Sequence, residues 1–203
     1  MGKRGAPPEV NAGSMADIAF LLLIFFLVTT TIQTDQGLTR KLPPLDKNET
    51  PSLPVKEKNV FTVVINRYGQ LLVENKELPL KELRKAAIDF LDNNGDGTCK
   101  HCMGKRDINL SDNPEKAIIS LINDNETKYE DYIAVQNELV AAYYTLRDRE
   151  SKKLYSGKTY KELEDKFNDP ATKDEMKEKL QPVVESIQKL YPQNLSEAEA
   201  KRE

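Results

Sequence analysis

Hydrophobic positions are distributed very unevenly along this chain of 203 residues. Residues 12–32 are almost entirely apolar and contain one charged side chain, Asp17. Within them, residues 18–28 form an unbroken apolar run. At about 1.5 Å of rise per helical residue, the segment would span roughly 31 Å, close to the hydrocarbon thickness of a bilayer. The pattern therefore predicts a transmembrane helix over residues 12–32.

A secretory signal peptide is the alternative interpretation of this segment. Lys3 and Arg4 precede it as a basic flank would, and the apolar run has the length of a signal-peptide core. However, residues 29–33 offer no small-x-small cleavage site, and an acid inside such a core would be unusual. We therefore favour a retained anchor. A short flank (residues 1–11) before a long folded part favours a cytoplasmic N-terminus and a C-terminal part in the periplasm or exterior.

Residues 33–59 have the composition of a linker. Four prolines fall between positions 43 and 54. They exclude a helix and favour an extended, polyproline-like chain. A part of the segment, residues 53–56, could instead add an edge strand to a neighbouring sheet, but we interpret the whole mainly as a spacer.

The periodicity of apolar residues over 60–150 predicts a small α+β domain with helices on one face of a sheet. Thr127 and Glu130 form a capping-box pattern that would open its second helix. After residue 151 only helical patterns continue, so 151–203 are predicted to be a helical C-terminal extension. The predicted elements of the ββαβα order are strands at 60–65 and 71–73, a helix from Pro79 to Asp92, a strand at 117–122 and a helix from about Thr127.

Asp17 has two possible roles. A carboxylate in a membrane span costs about 2.5–3.5 kcal/mol at the helix centre, and such residues usually face a protein interior or mark a proton or ion path. Alternatively, Ser14 and Asp17 form an S-x-x-D pattern, which is typical of a capped helix start with an acid near the positive helix end. The residues alone leave both roles open, and the two are compatible because an acid at a cap can also titrate.

The residues around Asp17 resemble the signature of the ExbD/TolR family, the small single-span subunits of proton-driven inner-membrane motors. In that family the corresponding acid carries protons, and the resemblance implies this role for Asp17. The order ββαβα is similar to that of the family's periplasmic domain, which ends with one further strand that residues 154–156 are too short and polar to supply. The resemblance covers roughly residues 9–148. The pattern M-x-D, an apolar run ending in F-F, then x-V-T-T is matched by Met15, Asp17, Phe25, Phe26, Val28, Thr29 and Thr30.

The resemblance also implies partners. An ExbB-like multi-span protein would surround a homodimeric pair of these helices, because an isolated span would leave Asp17 facing lipid. Proton flow would drive a movement that the linker passes to a TonB-like energy transducer for outer-membrane transport. Ser14, Thr29, Thr30 and Thr31 are candidates for lining the helix interface, although hydroxyl residues are also common at a membrane exit.

Other functions remain as alternatives. One is a TolR-like or peptidoglycan-binding membrane anchor of an envelope-integrity complex. A MotB-like stator subunit shares the acid in the span, but nothing in the chain resembles its large wall-binding domain. In a plain anchored binding module, Asp17 would be only a cap.

Composition excludes several further classes. A net charge of -3, from 30 basic and 33 acidic residues, excludes a nucleic-acid binder of the basic-patch kind. Charged residues make up 31% of the chain, which excludes a multi-span transporter. The chain has one His and two Cys, and it carries no nucleophile–base pair, nucleotide loop or cofactor motif. We therefore expect no enzymatic activity and no cofactor.

Cys99 and Cys102 lie in a loop, residues 92–114, that the short family members lack. A D-x-N-x-D-G pattern from Asp92 resembles half of a calcium loop, but Met103 stands where a bidentate Glu is expected. The spacing C-x-x-C, with His101 as a third ligand, resembles one zinc knuckle that two subunits could complete. In an oxidising periplasm a Cys99–Cys102 disulfide is favoured over both. A thioredoxin-like redox centre lacks its flanking fold.

Overall fold

The structure is a computed structural model that describes residues 12–29, 55–155 and 157–199. It divides into two units, residues 1–50 and 51–203. The first unit contributes helix α1, Ala12–Thr29. Within the described ranges, no helix has the combined length and apolarity needed to cross a membrane. The end of the predicted span, residues 30–32, and the prolines of the linker lie outside the described residues.

The second unit is a mixed α+β domain in which a short 3-10 turn over Glu57–Asn59 leads into the first strand. Its strands are β1 (Val60–Ile65), β2 (Leu71–Val73), β3 (Lys76–Glu77), β4 (Ile118–Asn123) and β5 (Leu195–Glu199). Its helices are α2 (Leu80–Leu91), α3 (Tyr129–Leu154), α4 (Tyr160–Asn168) and α5 (Asp174–Leu190).

The five strands form one sheet in the order β3-β2-β1-β4-β5. Strand β2 pairs antiparallel with both β1 and β3, whereas β4 pairs parallel with both β1 and β5. Burial alternates along β1, where Phe61, Val63 and Ile65 are buried, as expected for a sheet with one covered face. These side chains share one hydrophobic core with Leu83 of α2 and Leu139 of α3.

Most predicted elements of the domain are confirmed. The first two strands have the predicted bounds, and each end of α2 and β4 differs from its predicted position by one residue. The predicted capping box is wrong: α3 starts at Tyr129 after Lys128, without a side-chain cap. The hydroxyl of Thr127 instead donates to the carbonyl oxygens of Ile65 and Asn66, at 3.3 Å each, and fastens the start of α3 to the end of β1.

The prediction that only helices follow residue 151 is wrong. Leu195–Glu199 form β5, which pairs in parallel with β4 and completes the sheet. Helices α4 and α5 are therefore inserted between α3 and the last strand. A capping box between Thr159 and Glu162 starts α4. The two helices pack around a small separate hydrophobic core, whose buried residues are Tyr160, Leu163, Val184 and Ile187.

Candidate functional site

Asp17 lies in the second turn of α1, among exposed apolar side chains. All side chains from Met15 to Phe26 are exposed, and the large apolar ones range from 40% exposed at Ile24 to 62% at Leu23. Among the described residues, none covers this surface. Exposed apolar patches of this kind are typical of surfaces that contact another protein or a membrane.

The cap interpretation of Asp17 does not fit the helix. Because α1 already includes Ala12, Asp17 is not in its first turn, and the first turn contains no acid. Ser14 is three residues before Asp17 and therefore lies on the same helix face. Its side chain is outside the described part of the structure, as is that of Thr29, and Thr30 and Thr31 lie wholly outside it.

A second candidate region is the loop of residues 92–114, called here the disulfide loop. Its fold depends on the fully buried amide of Asn93. This amide donates to the carbonyl oxygens of Asp107, at 2.8 Å, and Ser111, at 2.9 Å, and it accepts a hydrogen bond from the N–H of Asp107. The loop therefore has a fixed conformation although none of its residues belongs to a helix or a strand.

Asp92 joins the disulfide loop to two helices. Its carboxylate is buried and accepts a bidentate pair of hydrogen bonds from Arg149 of α3, at 2.6 and 2.8 Å. The hydroxyl of Tyr191, just after α5, donates to the same carboxylate at 2.6 Å. The hydrogen bond to Asp92 raises the pKa of Arg149. Burial is the main cause that raises the pKa of Tyr191, and the hydrogen bond to Asp92 raises it further. Both donors therefore keep their protons at neutral pH.

The two cysteines of the loop are bonded to each other, as the sequence analysis favours. Between them, His101 donates from Nε2 to the carbonyl oxygen of Leu190, at 3.2 Å, and its ring meets that of Tyr191 edge-on at 5.0 Å. The ligand atoms of Cys99, His101 and Cys102 lie within 4.8 Å of one another. They could hold a metal ion only after reduction, since a bonded disulfide offers no thiolate.

The acids of the calcium-like pattern bind different partners. Asp92 is occupied by Arg149 and Tyr191, whereas Asp96 forms an ion pair with Lys116 at 2.9 Å. Burial alone would raise the pKa of Asp96, but hydrogen bonds from Thr98 and Lys116 outweigh it and bring that pKa to about 2. The two carboxylates therefore do not converge on a calcium site.

Asp112, near the end of the disulfide loop, binds the segment that enters the domain. Its carboxylate pairs with Lys58 and with Lys56, the latter at 3.3 Å. The amide of Asn59 donates to the same carboxylate, and its side-chain oxygen accepts from the N–H of Asp112. The hydrogen bond from Lys58 is the main reason that the pKa of Asp112 is lowered. The loop thus contacts the domain entrance, α3 and the end of α5.

Sequence reasoning missed this polar network. One signal for it lies in α3, where the apolar stripe that includes Tyr143 and Leu146 continues at helical spacing into Arg147 and Glu150. Charged residues on a core-facing stripe indicate buried polar partners. These partners could not be assigned from the sequence, because Arg147 donates to the carbonyl oxygen of Tyr191, 44 positions away, and Asp92 and Arg149 of the same network are 57 positions apart.

Comparison with known proteins bears on both regions. The chain matches the family of biopolymer transport proteins ExbD/TolR over residues 3–147, which include α1 and most of the domain. It is 28% identical over 76 residues to the biopolymer transport proteins named ExbD-like 2 of Helicobacter pylori strains 26695 and J99. These alignments cover 37% of this chain and 57% of each relative, so the chain spans just over half the length of these relatives. On the family match, this chain belongs to the ExbD/TolR family of biopolymer transport proteins.

Proposed function

We propose that this chain is the proton-carrying subunit of an inner-membrane motor that energises outer-membrane transport through a TonB-like transducer. The observation that carries the proposal is Asp17, the single acid of α1, whose neighbouring residues resemble the pattern around the family's proton-carrying acid. A carboxylate can take up and release a proton, and its neutral form no longer opposes contact with an apolar surface. The motor itself needs no enzymatic chemistry from this chain.

Residues 12–32 are proposed to form the membrane span, with α1 as its described part. The exposed apolar side chains of α1 support this assignment, because they would be stable in lipid or against other apolar helices. Residues 1–11 would lie in the cytoplasm and the α+β domain in the periplasm. The part of the proline-containing segment 33–59 that precedes Lys56 would let the domain move relative to the span, whereas Lys56, Lys58 and Asn59 are bound to Asp112 of the domain.

The proposed partners follow from the position of Asp17. A charged group on a helix surface is costly in lipid, so Asp17 would face a protein interior. An ExbB-like multi-span protein around two copies of α1 would provide that interior. Ser14, on the same helix face as Asp17, would be within reach of the same interior, and Thr29, Thr30 and Thr31 would lie at the other end of the span.

The test is the full chain with Asp17→Asn, expressed with its multi-span partner. Asn keeps the size and hydrogen-bonding capacity of Asp but is always neutral. We expect the variant to assemble with the partner and to lose proton-motive-force-dependent uptake. Asp89→Asn is the matched control, because it removes the same charge from an exposed position of α2 and should leave uptake unchanged.

Asp17→Glu adds a second comparison, since it keeps a titratable group but moves it by one methylene. Residual uptake with Glu together with none with Asn would support a proton-carrying role. Full uptake by the Asn variant, measured on an assembled complex, would remove that role and with it the motor proposal.

A further inference from the structure

We propose that Cys99–Cys102 is a thiol–disulfide exchange site whose redox state controls how firmly the chain between α5 and β5 is held to the domain. The reactant would be a dithiol, either a small molecule or the paired cysteines of a reducing protein. This inference concerns only the domain and does not depend on the proposed motor function.

The surroundings of the disulfide favour exchange. Both cysteines are only partly buried, so an attacking thiolate can reach them. The N–H of Cys102 donates to the Sγ of Cys99 at 3.1 Å, and such a bond stabilises negative charge on that sulfur. Lys100, Lys105 and Arg106 are exposed close by in the chain, and none of them takes part in an ion pair within the described residues. Basic side chains that can approach a cysteine favour its thiolate.

The reaction is a two-electron exchange. A thiolate of the reductant attacks the Sγ of Cys102, the Cys99–Cys102 bond breaks, and Cys99 leaves as the thiolate that its hydrogen bond stabilises. The second thiolate of the reductant then attacks the mixed disulfide and releases Cys102. The reductant becomes a disulfide, and the loop gains two electrons and, from solvent, the two protons of its thiols.

His101 couples the redox state of the disulfide to the end of α5, because it is one of the residues in the ring that the disulfide closes. In the oxidised loop its Nε2–H is held against the carbonyl oxygen of Leu190, and its own carbonyl oxygen accepts a hydrogen bond from Arg149 at 3.4 Å. Leu190 ends α5, Tyr191 follows it directly, and Leu195 starts β5 only a few residues later. Opening the ring gives residues 99–102 more conformations, so the contact of His101 with the end of α5 becomes weaker.

The experiment is hydrogen–deuterium exchange on the purified full chain, oxidised and after treatment with dithiothreitol at neutral pH, with EDTA present to prevent metal binding by the thiols. Loss of one such hydrogen bond corresponds to roughly fivefold to tenfold faster exchange. We expect that increase in residues 190–199 after reduction, without denaturant. The core strand β1 should exchange at the same rate in both states.

Variants separate the proposal from a general loss of stability. Cys99→Ser with Cys102→Ser should exchange as fast as the reduced protein and no longer respond to dithiothreitol. His101→Ala should speed exchange of residues 190–199 while the disulfide is intact, and Lys100→Ala is the matched control from the same ring. If the disulfide resists dithiothreitol until the protein is unfolded, the exchange site is refuted. If the thiols are free and residues 190–199 exchange at the oxidised rate, the control of docking is refuted.

Discussion

At the scale of single residues, Asp92 shows how hydrogen-bond donors stabilise a buried charge. Its carboxylate is surrounded by donors from three parts of the chain, namely Arg149, Tyr191 and the N–H of Met103. A buried carboxylate without such donors would be strongly destabilising. Arg149 contributes more than hydrogen bonds, because it also supplies the opposite charge.

Removal of that charge should therefore be costly. We expect Arg149→Ala to lower the free energy of unfolding by about 3 kcal/mol, because Asp92 stays buried without its partner. Arg84→Ala removes a comparable pair with Glu138, but that arginine is half exposed, so its loss should cost less than about 1 kcal/mol. Urea denaturation of the two variants checks the difference. Equal losses would show that burial of Asp92 does not determine the cost.

The residues differ in how far the sequence predicts them. Asp17 stands out in the sequence because it is the single charged residue of an apolar segment, but the role proposed for it comes from the resemblance of its neighbours to the family pattern. The paired cysteines are recognisable from their spacing. Arg149 and Tyr191 cannot be recognised from the sequence. Their role depends on contacts with Asp92, and contacts between residues so far apart in the chain depend on the complete fold.

At the scale of elements, the disulfide loop is held in place by close backbone packing as well as by side chains. Gly104 donates its N–H to the carbonyl oxygen of Asp92 at 3.0 Å. A Cβ at this position would lie 2.3 Å from that same oxygen. Only glycine lets the two backbone segments approach this closely.

Gly104→Ala should accordingly displace the loop. We expect a loss of about 2 kcal/mol or more in the free energy of unfolding, since the neighbouring atom is backbone and cannot rotate away. Gly97→Ala is the comparison: it meets no atom within 4 Å and only has to adopt a positive φ, which costs about 1–2 kcal/mol. Thermal unfolding of both variants gives the ranking. A milder effect at Gly104 than at Gly97 would contradict the packing argument.

The helices and strands also differ in how far the sequence predicts them. Strand β1 and helix α2 have strong apolar periodicities, so the sequence alone locates them. Strand β3 has two exposed residues, and β5 reads LSEAE, with a single large apolar side chain. Neither carries a periodic signal of its own, and each is a strand because a neighbouring strand supplies its hydrogen bonds.

At the scale of the whole molecule, Asp112 links the stability of the domain to pH. Its lowered pKa means that the folded state favours the carboxylate more than the unfolded chain does. The contribution is therefore fully present above the ordinary pKa of 3.8 and is lost as the pH falls through the lower value of the folded state. Lys56 and Lys58 provide the charges responsible.

We expect Asp112→Asn to be less stable than the parent protein at neutral pH and the difference to shrink as the pH falls below 3.8. Urea denaturation at a series of pH values measures it. Asp89→Asn, at an exposed position, should show no such convergence. A difference between parent and Asp112→Asn that is constant across this pH range would assign the loss to packing rather than to the ionised carboxylate.

The parallel pairing of β5 with β4 has a consequence for synthesis on the ribosome. Leu195 lies 72 positions after Asn123, so β4 is made long before its second neighbour exists. During that interval β4 can pair with β1 but not with β5. The largely apolar strand therefore has one open edge, which is a template for pairing with another chain. Helices α4 and α5 prolong the interval because they are translated between the two strands. Nascent chains that stop before β5 should therefore depend on chaperones more than the finished domain does.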